Sequence, residues 1–162
     1  MMEARVEPKV VHATCVVERS FSKPPSVVFA ALSEPDKVRR WMTGGSHSEL
    51  FEFRCEFLEG GKQTVKYKMG PETPIAGAVI TNEARFQHIV PGERIVTAST
   101  MKMGDRIFSA SQVTFELVPK ENGADLVITH QGAFFEGSDG PARREQGWNV
   151  LADNLVSVVA EQ

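Results

Sequence analysis

The stretch Gly140–Glu161 reads GPARREQGWNVLADNLVSVVAE. Trp148, Leu151, Ala152, Leu155, Val158 and Val159 recur at spacings of three and four, the period of a helix with one apolar side. Gly140 and Pro141 suit its start, because a proline in the first turn gives up a donor that would lack a partner anyway. Gly147 inside the helix costs about 1 kcal/mol relative to alanine. Close approach beside Trp148 is the packing reason expected for it. A helix patterned in this way must bury its stripe against another layer.

The preceding segments supply that layer. A strand runs from about Val10 to Phe21, with Val11, Ala13, Cys15 and Val17 on one face. FEFRCEF alternates Phe51, Phe53, Cys55 and Phe57 against Glu52, Arg54 and Glu56. In TVKYKM the inward set is Val65, Tyr67 and Met69, with Lys66 and Lys68 outside. AVITNEARFQH places Ile80, Asn82, Ala84, Phe86 and His88 in phase. RIVTASTM and SASQVTFELV follow, the latter with Val113, Phe115 and Leu117 on one face. Asn122-Gly123 is a hairpin signal leading into DLVITHQGAFF, where Leu126, Ile128 and His130 share a face. Such short connections imply an antiparallel meander, since parallel neighbours need long crossovers.

Two short helices interrupt the strands after the first. Pro24 and Pro25 open one with Val28, Ala31 and Leu32 as its stripe. Ser33 is placed to cap the second, which turns Val38, Trp41 and Met42 inward and Lys37, Arg39 and Arg40 to water. The expected architecture is α+β: a curved antiparallel sheet of about six or seven strands around the long C-terminal helix. Residues 1–9 read as a loose arm and residues 10–162 as one domain. A sheet curving round a helix leaves a concave, mostly apolar cavity between them.

Composition narrows the function. Net charge is −3, with no long basic run, which argues against nucleic-acid binding. No apolar run approaches the roughly 20 residues of a membrane helix, and the N-terminal MMEARVEPKVV lacks a signal-peptide core. Cys15 and Cys55 form no CxxC pair and read as reduced thiols of a cytoplasmic protein. The histidines are His12, His47, His88 and His130; none has HExxH spacing, so no metal or other cofactor is expected. GxSxG and P-loop motifs are missing too.

The segment Ser20–Met42, SFSKPPSVVFAALSEPDKVRRWM, resembles the entry signature of the SRPBCC (START-like) superfamily through Val28, Phe29, Ala31, Leu32 and Trp41. LVITHQG (Leu126–Gly132) and GWNVLADNL (Gly147–Leu155) resemble the closing elements of its branch named for homology to the activator of the heat-shock-protein ATPase. The similarity runs from about residue 10 to 160 and implies the helix-grip fold. It also implies a range of functions, among them lipid and hormone binding, polyketide cyclisation and, in eukaryotic members carrying a further N-terminal domain, chaperone activation. Many stand-alone bacterial members belong to the same branch.

Candidate cavity residues are Trp41, Phe53, Tyr67, Met69, Asn82, His130, Trp148 and Leu151. Tyr67, Asn82 and His130 are the polar groups in phase with the apolar face, and few such groups suffice to orient a ligand. His130 is expected to be neutral at pH 7, because an apolar site disfavours the imidazolium, unless a carboxylate such as Glu145 lies near it. The leading reading is a bacterial binder of a small apolar or amphipathic molecule, monomeric or homodimeric. No catalytic residue is assigned. An enzyme of cyclase, dehydratase or hydrolase type using His130 and Tyr67 is one alternative. A module that docks on a chaperone or other protein is another.

Overall fold

The computed structural model describes residue 4, residues 6–43 and residues 48–162. His47, and residues 1–3 and 5 of the arm, lie outside the described residues. In chain order the elements are β1 (Val11–Phe21), α1 (Pro25–Ser33), α2 (Pro35–Thr43), β2 (Ser48–Cys55), β3 (Lys62–Met69), β4 (Val79–Val90), β5 (Arg94–Met103), β6 (Arg106–Lys120), β7 (Gly123–Phe134) and α3 (Pro141–Ala160). The strands form one antiparallel sheet in the order β1-β7-β6-β5-β4-β3-β2. The last strand thus returns to the first, and β2 is left at the far edge.

The helical stripe does what its period requires. Leu155, Ala152 and Val159 of α3 are at most 1% exposed, and Val158 and Trp148 are buried with them. They share one core with Val28, Ala31 and Val38 of the short helices and with Phe115, Leu126 and Ile128 of the sheet. Trp41 and Trp148 each meet Phe115 edge to face, at centroid distances of 6.3 Å and 5.9 Å. The Trp41 indole N–H donates to the Ala31 carbonyl at 2.9 Å, as a buried indole must find a partner.

α3 does not lie centrally on the sheet. It packs on β1, α1 and α2. Arg19 of β1 reaches across to Asp153 and Asn149 of α3, at 3.0 Å and 3.1 Å. Over β3, β4 and β5 the helices stand further off, and the cavity lies in the space between those strands and the α2 and α3 residues Met42, Thr43, Gly147, Trp148 and Leu151.

Two β-bulges change the expected phases. Leu50 pairs with Tyr67 and Glu52 with Lys66, so Phe51 is an extra residue. Phe51 is 50% exposed, whereas Phe53 and Phe57 remain inward and half-buried and Val65 is buried. Glu52 and Lys66, expected in water, are half-buried cross-strand partners. On β4, Phe86 pairs with Thr97 and His88 with Val96, so Gln87 is the extra residue. Ile89 takes the inward place, and His88 turns out to accept from the Arg94 guanidinium at 3.0 Å.

Three further expectations are corrected. Ser33 does not cap α2; it ends α1, and its hydroxyl donates back to the Phe29 carbonyl. Val11 is exposed, and the inward run of β1 is Cys15, Val17 and Phe21. Gly147 does not serve close packing: a Cβ built there meets no atom within 4 Å.

Candidate functional site

His130 is held at the centre of three strands, with Cys15 of β1 and Val113 of β6 beside it. It is 3% exposed. Two residues on, Gly132 makes room for it: a Cβ there would lie 2.8 Å from His130 Cε1 and 2.7 Å from a ring carbon of Phe134. The missing side chain lets the His130 and Phe134 rings approach to 6.1 Å. The Trp148 ring flanks the imidazole at the same distance.

The partner of His130 is a cation, not the carboxylate considered from sequence. Arg144 stands one turn before Trp148 on the buried face of α3 and is 8% exposed. Its Nη1 lies 3.4 Å from His130 Nε2, and its Nη2 donates to Ser109 Oγ at 2.9 Å. Nε and Nη2 grip both oxygens of Asp139 at 2.8 Å each, the bidentate geometry that suits a guanidinium. The guanidinium carbon also sits 5.1 Å from the Phe134 ring centroid, within cation–π range. Glu145 is exposed instead and lies near Cys15.

Ionisation follows from these contacts. Burial, and then the positive charge of Arg144, push the His130 pKa from 6.5 down to about 4, while Asp139 pulls the other way. The imidazole is neutral at pH 7 and offers Nε2 to Arg144 as an acceptor. Burial alone would raise the Asp139 carboxyl, but the hydrogen bond and charge of Arg144 outweigh it and hold Asp139 below its usual value. Burial raises the Tyr67 phenol, with Arg144 opposing and Asp139 assisting, so the hydroxyl keeps its proton.

These groups border a cavity of about 250 Å³ between α3 and the sheet. Of the residues expected there, Tyr67, Asn82, His130, Trp148 and Leu151 line it, with Val65, Met101 and Val113 completing much of the apolar wall. Among the described residues, neither the Tyr67 hydroxyl nor the Asn82 amide has a side-chain hydrogen bond, so both are available to an occupant. The remaining three candidates lie elsewhere. Trp41 is sealed in the core and touches only a recess of about 40 Å³ beneath the cavity. Phe53, paired with Val65 on the neighbouring strand, packs against the core. Met69, at the end of β3, lines an outer groove of about 510 Å³ with Ile75, Ile80, Met103 and Phe108.

Asp139, Arg143 and Gly147 border both the cavity and the groove and form the neck between them. With no side chain at Gly147, the neck stays open. A broader depression of about 990 Å³ lies on the opposite face of the sheet, lined by short polar residues such as Thr14, Thr64, Thr100 and Gln112. Its open lining mixes alanines with hydroxyl and charged side chains such as Arg54 and Arg85 and offers no large apolar side chain to enclose a small molecule. No group of three or more metal-ligating side chains occurs among the described residues. Cys15 and Cys55 are free, and burial pushes the Cys55 thiol up to about 11, far from a reactive thiolate.

Arg144 and Asp139 were not singled out from sequence. Position 144 is four residues before Trp148, which places it on the buried stripe, but its residue type suggested solvent. Asp139 has no periodic signal, because it belongs to the loop before α3.

Residues 22–160 match the family model described as Activator of Hsp90 ATPase homolog 1-like protein. The chain belongs to that family. Solved structures agree with membership. A Rhizobium leguminosarum protein is 29% identical with a TM-score of 0.84, over 94% of this chain and 97% of its own. A Rhizobium loti protein is 36% identical with a TM-score of 0.81, over 92% and 98%. The AHSA1-like protein of Aeromonas hydrophila, 19% identical, shares the fold with a TM-score of 0.67 over 92% and 93%. No curated protein matches the chain. Family membership and the wrapped helix together make this a helix-grip protein, and no described helix is long and apolar enough to cross a membrane.

Proposed function

We propose that the chain is a cytoplasmic bacterial protein, monomeric or homodimeric, that binds a small apolar or amphipathic molecule between the sheet and α3. The observation that carries this reading is the cavity of about 250 Å³, whose apolar wall holds a tyrosine hydroxyl and an asparagine amide with no hydrogen-bond partner among the described side chains. A core that needed only packing would fill this space, since interiors are close-packed and voids weaken them. The related structures come from bacteria, which supports the source.

Binding is favoured over proton-transfer chemistry by the state of His130. Its Nε2 faces the Arg144 guanidinium and its pKa sits near 4, so it is a poor general base at neutral pH. A docking module is disfavoured because the helix–sheet space is open rather than packed.

A thermal-shift screen of alcohols, acids, aromatics and isoprenoids tests the reading. A ligand selective for the folded state adds about 2.7 kcal/mol at a hundredfold excess over its Kd, a melting shift of several degrees. Saturable shifts that weaken in Tyr67→Phe are expected. No shift with any compound, in protein whose unfolding is cooperative, would refute cavity binding.

A further inference from the structure

We infer that the molecule this cavity takes is an apolar acid: a hydrophobic body in the inner cavity and one carboxylate at the neck, between Arg143 and the Tyr67 hydroxyl. This inference rests on the binding reading above and adds the chemical class of the ligand. Three independent features point to it.

The first is charge. The cavity is bordered by Arg143, Arg144 and Asp139, two cations against one anion, while His130 is neutral. Both oxygens of Asp139 are already spent on Arg144. Among the described residues Arg143 has no ion-pair partner, and its place at the neck lets it reach either the cavity or the outer groove.

The second is the start of α3. The first turn carries no acidic residue, and the N-cap Gly140 gives no side-chain cap. Unpaired N–H groups and the positive end of the helix dipole favour an anion here, yet the first turn holds Arg143 and Arg144. A local choice that works against the helix marks a site where something other than stability is served. Asp139, just before the N-cap, answers Arg144, and an anion at the neck would answer Arg143 and the helix end together.

The third is the polarity of the free groups. Tyr67 keeps its proton and can donate, and the Asn82 amide can donate. Arg144 has five N–H bonds, of which four meet Asp139, Ser109 and His130. Tyr67 and Asn82 can accept as well as donate, but the two guanidinium groups can only donate, and an acceptor-only head group complements those fixed donors. The size of the body follows from the volumes. The inner cavity lies just below the usual range of about 300–1,000 Å³ for ligand sites. A short chain or a fused aromatic pair suits it, and longer bodies would pass Gly147 into the outer groove.

The test uses matched bodies with different heads: octanoic acid, octanol, methyl octanoate and octylamine, then naphthoic acid against naphthalenemethanol. Binding to the full chain is measured by calorimetry at pH 7.5. The acid of each pair is expected to bind about tenfold more tightly than the alcohol, as a charge-assisted contact would give. In Arg143→Gln that ratio should collapse toward one, with an unchanged melting temperature showing that the fold is kept. Raising salt should shrink the ratio in the wild type. An alcohol or amine that binds as well as the acid would overturn the head-group assignment and leave cavity binding standing. Failure of every compound to bind would overturn both.

Discussion

Lowering the pH should destabilise this protein through one buried histidine. His130 titrates at its ordinary 6.5 in the unfolded chain and at about 4 in the folded one. Between those values the unfolded state binds a proton that the folded state refuses, so stability is fully present above pH 6.5 and falls as the pH drops. The gap is 6.5 minus about 4, or about 2.5 units. At about 1.4 kcal/mol per unit this amounts to about 3 kcal/mol, most of it lost by about pH 4.5. No large discount for solvent applies, because His130 is 3% exposed. Asp139 contributes in a lower window: its folded pKa is depressed, so its stabilisation is lost as the pH falls through and below the carboxylate range. The two are separated with His130→Gln, which keeps an acceptor for Arg144 but cannot titrate. Urea unfolding of both proteins across pH 8 to 4.5 is the assay. The difference in stability between them should narrow by about 2–3 kcal/mol as the pH falls. Parallel pH profiles would refute the burial of a neutral imidazole against Arg144.

Three further outcomes are expected from α3. Trp148→Ala should cost about 3–5 kcal/mol in chemical denaturation, since the ring is buried between Phe115 and His130; a loss below about 1 kcal/mol would mean the aromatic stack is not part of the core. Gly147→Ala should stabilise by about 0.5–1 kcal/mol, because a Cβ there meets open space and helix propensity improves. Gly147→Phe, by contrast, should block the neck and weaken binding of the longest alcohols and acids more than that of short ones, which a calorimetric chain-length series would read.

Much of the architecture was open to reading because period-2 and period-3.6 patterns survive intact where burial is one-sided. The stripe Trp148, Ala152, Leu155 and the alternation Leu126, Ile128, His130 are buried as their spacing requires. Phe51 and His88 went astray for a shared reason. Each lies at a bulge, and an extra residue in a strand flips the phase of its neighbours without any residue type to announce it. Ser33 had the composition of a cap, but the hydroxyl is closer to its own helix than to the next. Tyr67, Asn82 and His130 do converge, because strand phase decides which face each residue shares. Met69 shares that phase but stands at the end of β3, and Trp41 comes from α2; the seating of the helices on the sheet, which no strand period encodes, puts both outside the cavity. The Arg144–Asp139 pair depends on a loop meeting a helix, a tertiary fact that no local pattern encodes.

The most direct test of the central claim is a chemical-shift map of the isotope-labelled chain titrated with octanol and with octanoic acid. Saturable shifts are expected at Tyr67, Asn82, Met101, Trp148 and Leu151, the walls of the inner cavity, with Thr14, Thr64, Thr100 and Gln112 on the far side of the sheet unmoved. Shifts confined to that far side, or none that saturate with either probe, would contradict a ligand site between sheet and helix.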